Sequence, residues 1–368
     1  MSCPRYIMIG GFLGAGKTTA ILQLALRLKA AGKRVGLITN DQSFGLVDTQ
    51  MLAARDFAVE EITGGCFCCR FNSLVEAAER LSSSHAPEVF LAEPVGSCTD
   101  LKATVDYPLR RLYGDAYSVA PFSVLVDPIR AARVLGLQQD KSFSDKVLYI
   151  YGKQLEEADL IIINKIDLLR EEERARLEQA LAQRFPGAAI HAISARQGTG
   201  VSEWLAKLTD GEAKTCGAME VDYDRYAEGE ALLGWLNAQF HVAAENDFDG
   251  NSFLVQLAMR LRTALQEAAI EIAHLKMTLL PDQDIDLAVV NLVGSDLEPE
   301  AAHRLQAPLS QGELTLNLRA EGPPELIQAL AEQAFANQAQ ESTLRVQKQH
   351  LESFRPGRPT PTHRFVGV

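Results

Sequence analysis

No apolar stretch in this chain approaches the roughly 20 residues that a membrane-spanning helix requires. Positive charge is scarce as well. Against 48 acidic residues stand 36 lysines and arginines, a formal net charge of -12, which argues against a general nucleic-acid-binding surface. Residues 1–4 carry neither the basic nor the apolar region of a secretory leader. No internal repeat or low-complexity tract is present. The seven histidines (His85, His191, His241, His274, His303, His350 and His363) are scattered, so a histidine-rich store for many metal ions is not expected. A spread disulfide framework is lacking too, because three of the six cysteines crowd into Cys66, Cys68 and Cys69. These absences predict a cytoplasmic protein with no membrane or nucleic-acid partner, whose clustered thiols do metal or redox chemistry.

What remains is an ordinary globular composition, 47% hydrophobic and 23% charged, in a chain of 368 residues, long enough for two domains. Short apolar segments at 6–10, 34–39, 89–92, 123–126, 160–163 and 189–193 read as strands. Helical patterns at 18–30, 70–82 and 171–184 separate them, which implies βαβ units and a parallel sheet buried on both faces. That first domain spans 1–210. Residues 211–230 lose periodicity and read as a linker. A strand at 234–242, a helix at 252–269, strands at 274–280 and 312–319, a helix at 324–336 and a strand at 343–350 follow. This βαββαβ order predicts a smaller ferredoxin-like α+β domain over 231–352. Residues 353–368, with Pro356, Pro359 and Pro361 among arginines, read as an extended tail.

Gly11-Phe12-Leu13-Gly14-Ala15-Gly16-Lys17-Thr18 satisfies G-x-x-x-x-G-K-[ST] between a strand and a helix, the context this motif requires. Gly11, Gly14, Ala15 and Gly16 offer backbone N–H groups to phosphate oxygens, aided by the positive helix end. Lys17 reaches the β- and γ-phosphates, and the Thr18 hydroxyl, followed by Thr19, binds Mg²⁺. The fold expected is α/β, a P-loop NTPase with a doubly wound, mostly parallel sheet, followed by the smaller α+β domain.

The base is read from Asn164-Lys165-Ile166-Asp167 at the end of an apolar strand. The Asp167 carboxylate can accept both guanine N1–H and the 2-amino group, which adenine does not present. Lys165 would lie over the base, Asn164 would tie this loop to the phosphate loop, and Ser194-Ala195 would offer a backbone N–H to the guanine oxygen. GTP is therefore expected over ATP, which argues against a small-molecule kinase. Glu93-Pro94-Val95-Gly96 follows another strand: Glu93 can hold Mg²⁺ through water, and the Gly96 N–H can meet the γ-phosphate and reorganise on hydrolysis.

Between these segments, Gly64-Gly65-Cys66-Phe67-Cys68-Cys69-Arg70 supplies soft ligands for Zn²⁺ or a similar ion. Buried core cysteines or a vicinal redox pair are the competing readings. A tetrahedral site needs one more donor, with Asp41 or Cys98 as candidates. Asp41 has two other readings, orienting the attacking water or capping a turn at Thr39-Asn40-Asp41, and the three stay open. No arginine finger stands out; Arg70 is the nearest candidate, with a phosphate or salt-bridge role equally open.

Gly10-Gly11-Phe12-Leu13-Gly14-Ala15-Gly16-Lys17-Thr18-Thr19, Gly64-Gly65-Cys66-Phe67-Cys68-Cys69, Glu93-Pro94-Val95-Gly96 and Asn164-Lys165-Ile166-Asp167 together resemble the CobW family, metallochaperone GTPases of the cobalamin-synthesis-protein-W type. The resemblance covers the whole first domain. It implies a slow, metal-responsive GTPase that binds GTP, Mg²⁺ and Zn²⁺ or Co²⁺ and delivers the ion to a client metalloprotein or cobalamin-pathway protein. A nucleotide-switched regulator of such an enzyme, without metal transfer, is the alternative; a homodimer is left open. Members commonly carry N-E-F-G after the second strand, where this chain has Asn40-Asp41-Gln42-Ser43, so Asp41 falls on the family's metal-associated glutamate. The family's histidine-rich stretch is missing, and the segment 223–235 and the tail match no family feature.

Overall fold

The computed structural model describes residues 3–40, 57–139, 143–213, 217–283 and 286–367. Asp41, read as a metal or water-orienting carboxylate, lies outside the described residues. Two compact units emerge: residues 3–40, 57–229 and 359–367 make up one, and residues 230–358 the other.

The first unit is built on strands β1 (Arg5–Gly11), β2 (Val35–Asn40), β3 (Ala58–Ile62), β4 (Val89–Glu93), β5 (Ser118–Val119), β6 (Ser123–Val126), β7 (Leu160–Ile163) and β8 (Ala189–Ala192). They pair in the order β3-β2-β4-β1-β6-β7-β8, every pair parallel, with β5 beside β1. Both faces are covered, so β6 (SVLV) and β7 (LIII) are buried at every position. Helix α1 (Lys17–Ala30) places Ala20, Ile21, Leu24, Ala25 and Leu28 in one core with Ile7, Ile9, Leu37 and Leu91. The α/β, doubly wound sheet expected from the motifs is what forms. The tips of β1, β2, β4 and β7 bear the phosphate loop, Asn40, Glu93 and Asn164.

Helix α2 (Phe71–His85) follows the cysteine motif. Residues 102–106 make a π-type turn that runs into α3 (Tyr107–Tyr113). Helices α4 (Pro128–Val134), α5 (Asp145–Glu156), α6 (Glu171–Arg184) and α7 (Val201–Asp210) complete the layers. Within 211–230, expected as a linker, helix α8 (Tyr223–Leu232) begins, and Tyr226 is 1% exposed.

In the second unit, strands β9 (Leu233–Phe248), β10 (Glu271–Pro281), β11 (Ala288–Leu292), β12 (Glu300–His303), β13 (Leu309–Glu321) and β14 (Arg345–Phe354) form an antiparallel sheet ordered β12-β11-β10-β13-β9-β14. Helices α9 (Gly250–Glu267) and α10 (Pro324–Glu341) follow β9 and β13. The β10-β13-β9-β14 portion with its two helices is the split βαβ arrangement the sequence predicts; β11 and β12 extend its edge beyond that expectation. Leu314, Leu316 and Leu318, two apart along β13, share a core with Leu257 and Leu261 of α9 and Phe335 of α10. No helix among the described residues is long and apolar enough to cross a membrane.

Candidate functional site

The chain leaves β1 at Gly11 and enters α1 at Lys17 through glycines with positive φ, 79° at Gly14 and 85° at Gly16. At Gly16 both backbone and space demand glycine, since a Cβ there would lie 2.5 Å from Asn164 Nδ2. No side chain among the described residues caps α1, and no acidic residue stands in its first turn. The first amides thus face outward with the helix dipole behind them, as an anion site requires. Lys17 and Thr18 are 7% and 8% exposed. Lys17 Nζ lies 3.9 Å from Glu93 Oε1, and the Thr18 hydroxyl donates to the same oxygen at 3.2 Å. One ammonium, one hydroxyl and one carboxylate converge beside the loop, and Thr18 with Glu93 is a hard-oxygen pair that suits Mg²⁺. Thr19 is exposed on the first turn.

Asn164 joins two loops: its Nδ2 donates to Ala15 O at 2.9 Å, and its Oδ1 accepts the Ala195 N–H at 3.0 Å. The Ser194 N–H donates to Thr199 O at 3.0 Å within its own turn, while the Ala195 N–H is the one that Asn164 accepts. The Ser194 hydroxyl donates to Asp167 and fixes that exposed carboxylate. Lys165, with φ 57°, turns its ammonium to Gly14 O at 2.9 Å and to Asp127 Oδ2 at 2.8 Å.

Asp127 escaped the sequence reading. It follows β6, caps α4 through the Ile129 and Arg130 amides and anchors Lys165. Burial pushes its carboxyl up, but Lys165, Arg130 and the amide hydrogen bonds outweigh that and hold it below the usual carboxylate range. An Asp-Pro step at the end of an apolar strand was the available signal. Arg130 was missed as well; it donates to Leu13 O and lies 5.2 Å from the Phe12 ring centroid, bracing the phosphate loop from behind.

Gly96 abuts that same loop: a Cβ would meet Leu13 Cδ2 at 2.8 Å and Leu13 N at 3.1 Å. Gln154 of α5 donates to Gly96 O at 2.9 Å and Cys98 O at 2.8 Å, pinning the sensor segment. Glu157 accepts from the Lys102 amide at 3.0 Å and from the Thr99 hydroxyl at 3.3 Å. Its burial pushes the carboxyl up to about 8.

The three thiols meet. Cys66 Sγ lies 2.9 Å from Cys68 Sγ and 3.3 Å from Cys69 Sγ, with 3.7 Å between Cys68 and Cys69. Around a metal with bonds of about 2.3 Å, tetrahedral sulfurs stand about 3.8 Å apart, so a slight opening of Cys66 completes the fit. Hydrogen bonds from the Cys68, Cys69 and Cys98 thiols hold Cys66 well below the ordinary thiol range against the opposing pull of burial, while hydrogen bonding to Cys66, Cys69 and Cys98, with burial, pushes Cys68 up. Cys98 reaches Cys66 and Cys68 from the sensor segment.

The loop's shape comes from Asn40, a residue the sequence offered only as part of a turn. Its Nδ2 donates to Ile62 O at 2.9 Å and Gly65 O at 2.8 Å, and its Oδ1 accepts the Phe67 N–H at 2.8 Å. Arg70 turns back to Gly64 O at 3.2 Å.

This loop, helix and sheet define a P-loop nucleotide-binding protein with a thiol cluster beside its nucleotide site. Residues 5–192, just over half of the chain, match the nucleotide-binding domain of CobW/HypB/UreG, and the chain belongs to that family. It is 30% identical over 183 residues to the zinc chaperone CobW of Sinorhizobium sp, covering 44% of this chain and 51% of that protein. To the zinc chaperone YeiR of Escherichia coli strain K12 it is 30% identical over 176 residues, covering 48% and 50%. The chain thus spans about half the length of the curated relatives it matches. Among solved structures, HypB from Helicobacter pylori in complex with nickel aligns over 56% of this chain and 86% of its own, with 18% identity and a TM-score of 0.42. The Zn(II)-bound YjiA GTPase from E. coli aligns over 92% and 99%, with 15% identity and a TM-score of 0.34.

Proposed function

We propose that the protein is a GTP-hydrolysing metallochaperone that holds Zn²⁺ or Co²⁺ on Cys66, Cys68 and Cys69 in step with its nucleotide state and passes the ion to a client metalloprotein or cobalamin-pathway protein. One observation carries the reading. Thr39 of β2 is the register partner of Glu93 of β4, and the next residue, Asn40, holds the cysteine loop with two hydrogen bonds and the end of β3 with a third. A shift of Glu93 on nucleotide exchange would therefore reach the cysteine loop through Thr39 and Asn40. The zinc chaperones among the relatives favour zinc as the cargo.

The Gly14–Thr18 amides and Lys17 cradle the β- and γ-phosphates, and Asp167 selects guanine. Thr18 and Glu93 would hold Mg²⁺, which supplies charge neutralisation between the phosphates. Gly96, pressed on Leu13, follows the γ-phosphate position. No arginine finger stands out in the sequence, and a slow turnover is expected on that reading.

Metal titration of the GTP-bound and GDP-bound protein tests the coupling, with Cys68→Ser and Cys69→Ser as controls. Affinity should differ between the two nucleotide states and collapse in both variants; equal affinities would sink it. The burial of Cys66 and Cys68, 5% and 1% exposed, favours a second reading in which the ion is kept as a sensor input. Hydrolysis-dependent transfer to an apo client separates the two.

A further inference from the structure

Residues 359–367 belong to the first unit, although the second unit precedes them in the chain. They lie across the cysteine loop. The Thr360 N–H donates to Cys69 Sγ at 3.3 Å, the Thr362 N–H to Cys68 O at 2.8 Å, and the Thr362 hydroxyl to Cys69 O at 3.1 Å. Pro359 and Pro361 have no N–H, so both main-chain donors of this Pro-Thr-Pro-Thr stretch are spent on the cysteines. His363 stands edge-on to Phe71, the first residue of α2, with ring centroids 5.1 Å apart.

The same segment grips the sensor side. Arg364 Nε donates to Asp100 Oδ2 at 2.7 Å and its Nη2 to Met219 O at 2.9 Å, and the Phe365 N–H donates to Ala103 O at 2.8 Å. Asp100 is 1% exposed and holds a φ of 64°, a conformation that a non-glycine residue keeps only where its surroundings impose it. Arg364 and the Tyr223 hydroxyl, which reaches the same oxygen at 2.7 Å, are those surroundings. Asp100 lies four positions beyond Gly96 in the sequence.

We infer that residues 360–365 are a working part of the metal centre: Thr360 and Thr362 orient Cys69 and Cys68 for the ion, and Arg364 on Asp100 locks that loop to the segment following Gly96. The inference rests on reading the three thiols as the metal site. An amide donated to a metal-bound thiolate withdraws charge from the sulfur and fixes its direction, and such supporting groups commonly decide affinity by 10- to 100-fold. These are positioning residues; they touch the ligands and not the ion.

The full-length protein loaded with Co²⁺ tests this, because its thiolate-to-cobalt charge-transfer band reports the charge on sulfur. Thr360→Pro deletes the amide donor together with the threonine side chain. It should move the band to lower energy and weaken Co²⁺ about 10-fold in chelator competition. Thr360→Ala, which keeps the amide, should match the wild type. Arg364→Gln should leave the band in place but bring the Co²⁺ affinities of the GTP-analogue and GDP forms together, and Arg364→Lys should restore part of the difference. A Thr360→Pro band and affinity equal to wild type would overturn the role of Thr360, and an undiminished nucleotide difference in Arg364→Gln would overturn the lock. Hydrogen exchange on the wild type needs no variant to fold: the Thr360 amide should slow on Co²⁺ loading, and unchanged exchange counts against the inference. A wild type without any thiolate-to-cobalt band overturns the thiol-site reading itself, whereas a wild-type band that survives Thr360→Pro unchanged overturns the strap alone.

Discussion

Asn40 makes two hydrogen bonds to the cysteine loop, one to the end of β3 and none of those described to the phosphate loop, so its loss should be felt on one side only. Asn40→Ala is expected to weaken Zn²⁺ or Co²⁺ binding by about 10- to 100-fold while GTP affinity stays within about threefold. Competition titrations for metal and calorimetric titration of GTP check both halves. Asp167 shows the opposite pattern. Its carboxylate, aimed by Ser194, would accept two guanine donors, and hydrogen bonds to a charged group are each worth about 1.5–3 kcal/mol. Asp167→Ala should therefore weaken GTP by about 100-fold or more and leave weak ATP binding where it was; equal losses for both nucleotides would refute guanine selection. Contiguous motif strings made Lys17, Thr18, Glu93, Asn164 and Asp167 legible in the sequence. Asn40, Asp127, Arg130 and Gln154 were not, because each acts through a partner far along the chain, as Gln154 does with Gly96, 58 residues away.

Among the elements, α5 and the turn at 99–102 enclose Glu157, whose carboxyl is raised by burial from 4.5 to about 8. Between those two values the folded protein holds a proton that the unfolded chain releases, so stability falls as pH rises through that window and the loss is complete above about 8. Glu157→Gln cannot ionise, and its denaturant midpoint should change much less between pH 5 and pH 8 than that of the wild type. Parallel decline in the two proteins would assign the effect elsewhere. Strands such as β6 and β7 could be read from sequence because a doubly covered parallel strand is apolar at every position. β3 (AVEEI), mostly half-buried, and β12 (EAAH), polar and half-exposed, offer no such run, and β5 has two residues. Their pairing partners create them, and a local pattern does not show a partner.

At the scale of the whole molecule, two separate cores predict two unfolding steps. Calorimetry of the full chain should resolve them, and GTP with Mg²⁺ should raise only the step of the first unit. Shortening the chain after Arg358 should lower that same step and spare the other, because residues 359–367 pack with the first unit. The segment around Thr360 also sets a schedule for synthesis. Thr360 and Cys69 lie 291 positions apart, and at about 5–20 residues per second the ribosome needs roughly 15–60 s to get from one to the other. During that interval a nascent chain can already own the residues of the nucleotide site and all three thiols, yet lack the groups that hold Cys68 and Cys69 in place. On the metal-site reading, an ion would then find its full set of supports only once the second unit has been made, so an unfinished chain would be a poor competitor for metal.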